Sequence, residues 1–353
     1  MNNLNFFIED DIEFILNESV NELKKLSGKS VLISGGLGFI GKYINQTIYR
    51  YNQKTKNPIK VIVVDNLMFN QTVNQKNFYD KNFTFINHDA SLPLKILEDI
   101  DFIIHAAGIA SPFYYRSKPL ETLDVAISGT RNLLELARKK KSNIIFFSSS
   151  EIYGDPDSNK IPIKEEYRGN VSPLGPRACY DESKRLGETL CYIYKNYYNV
   201  DVKIVRPFNI YGPGMAQNDY RILPNFANCL KNNIKFSVYG SGKQTRTYCY
   251  ISDAINGFLK VLLNGTAGEA YNIGNLEPEI SIYELIEKIS KVINKKIEFE
   301  NVNYPSSYPS DEPQRRNPDI SKANKDLNYF PKIKIEDGLN KFFNWADKNY
   351  IKN

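Results

Sequence analysis

The chain is poor in the residues that most often carry metals and crosslinks. Its 353 residues include two histidines, His88 and His105, one tryptophan, three methionines and four cysteines. Two histidines nearly exclude a histidine-rich metal site. The cysteines (Cys179, Cys191, Cys229, Cys249) show no CxxC spacing. Neither a zinc knuckle nor a disulfide framework is therefore expected, and free cytoplasmic thiols fit better. No apolar run reaches the roughly 18 residues of a membrane span. The N-terminus also lacks the basic start and apolar stretch of a secretory signal, so the expected location is the cytoplasm. The net charge of +6 is modest and spread out. Its one run, Lys139-Lys140-Lys141, ends a predicted helix, where cations meet the negative end of the dipole. No nucleic-acid or membrane partner is expected.

What is present is material for a core. Hydrophobic residues make up 42% of the chain, with 24 tyrosines and 20 phenylalanines, enough for two domains or one large domain with a lobe. Residues 8–26 carry Ile12, Leu16, Val20, Leu23 and Leu26 at helical spacing, which predicts an amphipathic N-terminal helix. From residue 28, short β-branched runs at 31–33, 59–64, 83–86, 102–104, 144–147 and 202–205 alternate with helical stretches such as 39–52, 119–140 and 178–198. That rhythm predicts an α/β fold: a doubly wound parallel (Rossmann) sheet covered on both faces. Past Arg206-Pro207 the rhythm breaks, and Pro and Gly cluster at 212–214, 240–242 and 305–313. The expected division is a helical extension at 1–27, a dinucleotide-binding domain at 28–207 and a smaller substrate-binding lobe at 208–353. Part of 236–276 is able to return to the sheet.

The segment Ser34-Gly35-Gly36-Leu37-Gly38-Phe39-Ile40-Gly41 follows a strand and opens a helix. Glycines there let the backbone turn tightly and approach a pyrophosphate, which rests on the helix N-terminus. Asp65 ends the next strand. An acid at that point accepts hydrogen bonds from an adenosine ribose and repels a 2′-phosphate, so NAD is favoured over NADP.

Tyr180 and Lys184 lie one helical turn apart and share a face. A nearby ammonium favours the phenolate, lowering the tyrosine toward a usable general base for a sugar hydroxyl losing hydride to nicotinamide. Ser149 would hydrogen-bond that hydroxyl. Ser148 and Ser150 read either as part of the site or as strand-end caps. Glu151 beside them suits work on a proton or a carboxylate.

These segments resemble an extended short-chain dehydrogenase/reductase of the nucleotide-sugar epimerase/dehydratase type, from about residue 28 to the C-terminus. Within it, Ser149-Ser150-Glu151-Ile152-Tyr153-Gly154, Gly175-Pro176-Arg177-Ala178-Cys179-Tyr180-Asp181-Glu182, Tyr239-Gly240-Ser241-Gly242-Lys243-Gln244-Thr245-Arg246 and Glu312-Pro313-Gln314-Arg315-Arg316 are most similar to the UDP-glucuronate decarboxylase group. The resemblance implies oxidation of an NDP-hexuronate at carbon 4, loss of carbon dioxide and internal return of the hydride. It assigns catalysis to Tyr180, Lys184, Ser149, Glu151 and Ser150. Cofactor contacts are expected from Gly35, Gly38, Phe39, Ile40, Gly41, Asp65, Asn66, Asp89, Ala90, Ala106, Ala107 and Pro207, besides Tyr180 and Lys184.

Substrate contacts are expected from Tyr115, Arg177, Asn209, Tyr239, Arg246 and Arg316. Tyr115 reads as a contact at the uronate end or as packing under a lid, Arg177 as facing a carboxylate or bracing its helix, and Tyr239 as a nucleobase stack. Related 4,6-dehydratases carry Asp-Glu where this chain has Ser150-Glu151. Serine is a poor acid for expelling water, which favours decarboxylation over the alternative, an NDP-hexose 4,6-dehydratase or epimerase. The chain departs from the pattern at Ala126, where the family often has asparagine, at Ser34 and Ser149, which replace threonines, and at 105–110. Apolar stripes on 119–140 and 178–198 resemble a four-helix dimer interface, so a homodimer is expected.

Overall fold

The computed structural model describes residues 6–69, 80–303 and 313–352. Six short apolar runs form strands close to where the alternation places them: β1 (Ser30–Ser34), β2 (Lys60–Asp65), β3 (Phe83–Asn87), β4 (Phe102–His105), β5 (Asn143–Phe147) and β6 (Val202–Pro207). Later strands have two or four residues: β7 (Ile210–Tyr211), β8 (Phe236–Tyr239), β9 (Thr245–Arg246), β10 (Cys249–Tyr250), β11 (Ala270–Ile273), β12 (Ile280–Ser281), β13 (Phe299–Val302) and β14 (Arg315–Arg316). Seven of them pair in the order β11-β6-β5-β4-β1-β2-β3, all parallel. β11 lies inside 236–276 and joins the sheet at β6. The order reverses at β1, the point where such sheets open a crevice at their carboxyl ends.

The helices are α1 (Glu9–Glu18), α2 (Val20–Leu26), α3 (Phe39–Asn52), α4 (Pro112–Ser117), α5 (Pro119–Asp124), α6 (Thr130–Lys140), α7 (Ala178–Tyr198), α8 (Ile222–Asn232), α9 (Ile251–Asn264), α10 (Ile282–Val292), α11 (Ser321–Leu327) and α12 (Ile335–Asn349). One core cluster joins β1 and β2 residues such as Val31 and Val63 to α9 and α12. The other packs Leu133, Leu134 and Cys191 from α6 and α7 against Ile103 and Ile144. Each face of the sheet thus has its own apolar layer, which is why its strands read as continuous hydrophobic runs.

Two predicted helices differ in detail. The N-terminal one breaks at Ser19, whose hydroxyl donates to Asn256 Oδ1 at 2.5 Å, a local competitor of the helical pattern. The stretch 119–140 is interrupted by a π-helical turn at Val125–Gly129. Among the described residues, no helix is long and apolar enough to cross a membrane. Glu312 and most of 305–313 lie outside the described residues.

Candidate active site

The glycine loop lies between β1 and α3. Gly35 has φ +68°, and a Cβ there would come within 2.6 Å of the Ala107 backbone. Gly41 is equally tight, its Cβ falling 2.5 Å from the Gly35 carbonyl. Gly38 caps α3 without any side-chain acceptor, leaving an N-terminus suited to an anion. Phe39, Ile40 and Gly41 form that first turn.

A cleft opens beside the loop. Gly35, Gly38, Asp65, Asn66, Asp89, Ala90, Ala106 and Ala107 all line it, together with Val125 of the π turn. Asp65 accepts from Leu37 N–H at 3.0 Å and Leu67 N–H at 2.9 Å. Burial raises its carboxyl above the ordinary range despite those bonds and Lys42. Asn66 donates to Asp89 Oδ2 at 3.1 Å. A glycine cradle that a Cβ would fill, an uncapped helix start and an acid at the end of β2 together fit a dinucleotide.

Gly108 leads from this cleft to the reacting groups, for a Cβ there would stand 3.2 Å from Lys184 Nζ. Lys184 donates to the Phe147 carbonyl at 2.8 Å and lies 5.8 Å from the Tyr180 ring centre. Ser149 hydrogen-bonds the Tyr180 hydroxyl, and the Tyr115 ring stacks on that of Tyr180 at 5.2 Å, tilted by 10°. The expected depression of the tyrosine is not found. Burial, the dominant cause, pushes Tyr180 up to about 12 even though Ser149 opposes it. The same burial pushes Lys184 down to about 8, because both charged forms lose water.

Glu151 sits in a single 3-10 turn, Ser150–Tyr153, that follows β5. The Ser149 hydroxyl caps it by accepting from Glu151 N–H at 3.2 Å. Gly154 closes it with φ +59°. Tyr153 is pinned by donating to Asn272 Oδ1 at 2.8 Å while Arg206 Nη1 donates to it at 2.6 Å. The Glu151 carboxylate accepts from Arg177 and, at 2.6 Å, from Arg316. Burial alone would raise it, but Arg316, Arg177 and Arg246 outweigh that and hold it below the usual range. Arg177 also pairs with Asp181 of the following helix at 3.3 Å.

The remaining predicted residues are more scattered. Arg246 donates to the carbonyls of Pro313 at 2.6 Å and Gln314 at 3.1 Å. Asn209 has φ +45° and donates to the Thr247 carbonyl at 2.7 Å, a turn-forming role. Pro207 ends β6 opposite Ile273. Tyr239 is half-buried at the end of β8, and Ser150 is buried in the turn.

Sequence reasoning missed Asp181, Gly108 and Glu279. Glu279 accepts from Arg315 at 2.7 Å and Asn317 at 3.2 Å. The signals were weak: Asp181 directly follows the tyrosine, and Gly108 follows two predicted cofactor alanines.

Residues 31–274 match the model of the NAD dependent epimerase/dehydratase family. The chain belongs to that family. Its cofactor is accordingly NAD.

Curated relatives in this family narrow the comparison. The chain is 38% identical over 330 residues to UDP-glucuronic acid decarboxylase 1 of Xenopus tropicalis, covering 93% of this chain and 75% of the relative. It is 39% identical to UDP-glucuronic acid decarboxylase 3 of Arabidopsis thaliana, covering 88% and 86%. Among solved structures, the UDP-glucuronic acid 4-epimerase of Bacillus cereus, in complex with UDP-glucuronic acid and NAD, superposes with a TM-score of 0.75. That pair shares 26% identity over 91% of this chain and 100% of the other.

Proposed function

We propose that the protein is an NAD-dependent nucleotide-sugar decarboxylase that acts on an NDP-hexuronate of the UDP-glucuronate type. The observation that carries this reading is Glu151, an ionised, arginine-held carboxylate one turn from the Ser149–Tyr180 contact, with Ser150 beside it instead of an acid. A dehydratase needs a proton donor there to expel water, and Ser150 is a poor one.

The chemistry follows from the groups. Gly35, Gly38, Asp65, Asn66, Asp89 and the alanines at 106 and 107 would hold NAD, which when bound supplies the hydride acceptor and, reduced, the hydride donor. Tyr180, as the phenolate formed when its own proton passes to solvent, takes the proton of the carbon 4 hydroxyl, to which Ser149 would also hydrogen-bond. Lys184 stands behind it as the cation that stabilises the phenolate. The resulting ketone lies β to the uronate carboxylate, so the carbon–carbon bond breaks with its electron pair passing into an enolate, and carbon dioxide leaves. One proton from solvent quenches carbon 5. Tyr180 returns its proton to the carbon 4 oxygen as that carbon is reduced. The net change is uronate plus one proton to pentose plus carbon dioxide.

Arg316, Arg177 and Arg246 supply a positive field at Glu151 that also favours an anionic substrate, since guanidinium forks match oxyanions. Tyr115 stacked on Tyr180 would wall the sugar. Asn209 and Tyr239 are proposed contacts of the diphosphate and nucleobase.

Incubation of the NAD-loaded protein with UDP-glucuronate, read by mass spectrometry, tests the reading. Loss of carbon dioxide with no net reduced cofactor is expected; loss of water or an unchanged mass would overturn it.

The chain is proposed to work as a cytoplasmic homodimer. Four free thiols support the compartment. Leu186 and Tyr197 on α7, exposed at 43% and 74%, and Leu120 on α5, exposed at 70%, support an isologous pairing of these helices. Leu186→Asp should halve the mass seen by light scattering.

A further inference from the structure

Asp181 directly follows the tyrosine of the hydride-transfer pair and has no part in the steps above. It is 5% exposed, and a carboxylate in such a place needs partners. Its Oδ2 accepts from Arg177 Nε at 3.3 Å. Its Oδ1 is buried with no hydrogen-bond partner. The neighbouring nitrogen of the same guanidinium, Nη2, donates to Glu151 Oε2. One rigid plane therefore joins the buried Asp181 carboxylate to the half-buried Glu151 carboxylate, and fixing its Nε–H fixes the direction in which Nη2 points.

We propose that Asp181 is a positioning residue, gripping Arg177 so that this guanidinium is aimed at Glu151 and holds the Glu151 carboxylate charged and in place. The inference rests on Glu151 being the carboxylate that acts at the uronate end.

The charges around Asp181 support a second part of the same role. Glu151 faces it from the 3-10 turn and Arg316 from β14, while Arg177, Cys179 and Tyr180 face it from its own helix. Burial first, and then repulsion by Glu151, push Asp181 up to about 7 against the pull of Arg177 and Arg316. Glu151 is held low by the three arginines. Two carboxyl groups whose environments separate their titrations divide the work of carrying charge and proton. These environments favour protonation of Asp181 before Glu151 as pH falls.

The test uses the full NAD-loaded chain with UDP-glucuronate and the variants Asp181→Asn, Asp181→Leu, Asp181→Glu, Arg177→Lys and the Asp181→Leu/Arg177→Lys pair. Asparagine keeps an oxygen for Arg177 Nε and removes the titration; leucine removes both. Asp181→Leu is expected to lower kcat about 10- to 100-fold at unchanged KM, the scale of a misplaced reacting group. Asp181→Glu should restore much of that loss. Asp181→Asn should lose less than Asp181→Leu and no longer show the inflection of kcat near pH 7. The double variant should be no worse than Arg177→Lys alone, because a residue acting through another has nothing left to do once that partner is changed.

Losses that multiply in the double variant, or wild-type kcat in Asp181→Leu, would overturn the proposal. Should Asp181→Leu fail to fold, the pH profile of Asp181→Asn decides, with a persisting inflection counting against the role. Carboxyl carbon-13 NMR of the substrate-free protein gives a readout independent of the activity. Asp181 should titrate near 7 and Glu151 well below it, assigned with Asp181→Asn and Glu151→Gln; the reverse order overturns the proposal. A wild type that leaves every nucleotide uronate unchanged, with that NMR order intact, would sink the assigned reaction and not the role of Asp181.

Discussion

Tyr180, buried and raised to about 12, must first release its own proton to solvent before it can act as a base on a sugar hydroxyl. Removing its oxygen while keeping its ring isolates that function. Tyr180→Phe should preserve the stack on Tyr115 and the thermal midpoint, yet lower kcat by about 100- to 10,000-fold, the usual contribution of a general acid–base group. Steady-state carbon dioxide release checks this. The Tyr180/Lys184 pair is legible in the chain because the two residues are four apart on one helix. The Arg177–Glu151–Arg316 arrangement is only half legible. Each residue belongs to a recognisable segment, but Glu151 and Arg316 are 165 positions apart, and nothing local says that they meet. Nor does residue type announce that burial outweighs the Ser149 hydrogen bond at Tyr180, since desolvation depends on everything packed around the phenol.

Among the elements, the strands of the sheet are well marked because burial on both faces forces continuous apolar runs. The π turn at Val125–Gly129 is not marked, since it preserves helical composition and shifts only the hydrogen-bond register. It brings Val125 to the cofactor cleft and leaves Ala126 buried, its carbonyl accepting from Thr130 Oγ1 at 2.6 Å. The glycine loop is legible, but which glycine is indispensable appears only from geometry. Gly35→Ala should weaken NAD binding at least tenfold by fluorescence titration, because its φ of +68° and the 2.6 Å approach of Ala107 leave a methyl nowhere to go.

A second element-scale prediction concerns β9, β12 and β14, tied together through Glu279. Hydrogen bonds from Arg315, against a burial cost, and then from Thr245 and Asn317 hold its carboxyl down to about 2, from an ordinary 4.5. A depressed carboxyl contributes stability that is fully present above the unfolded value and is lost as pH falls from about 4.5 to about 2. Glu279→Gln should therefore flatten the dependence of the urea midpoint on pH across that window.

For the whole molecule, the N-terminal extension is more than an appendage. The periodicity of 8–26 reveals an amphipathic segment, but not where it docks, because its partners include α9 and α12 from the far half of the chain as well as α3. Asp11 is fully buried. It accepts from Tyr250 at 2.6 Å and Lys341 at 2.7 Å, and burial lifts its carboxyl above the ordinary range despite both. Asp11→Ala leaves the Tyr250 hydroxyl without its acceptor and should cost about 1–3 kcal/mol, read as a lower urea midpoint with faster proteolysis near Ser19.

These contacts also set a schedule for synthesis. Lys341 leaves the ribosome 330 positions after the carboxylate it neutralises, a delay of roughly 15–70 s at ordinary elongation rates. For the first 239 positions of that interval α1 can rest on α3 but its acid has neither of its late partners, and Lys341 is missing until the end. A nascent chain halted before α12 would thus expose an apolar helix carrying an uncompensated charge, the kind of surface that chaperones hold.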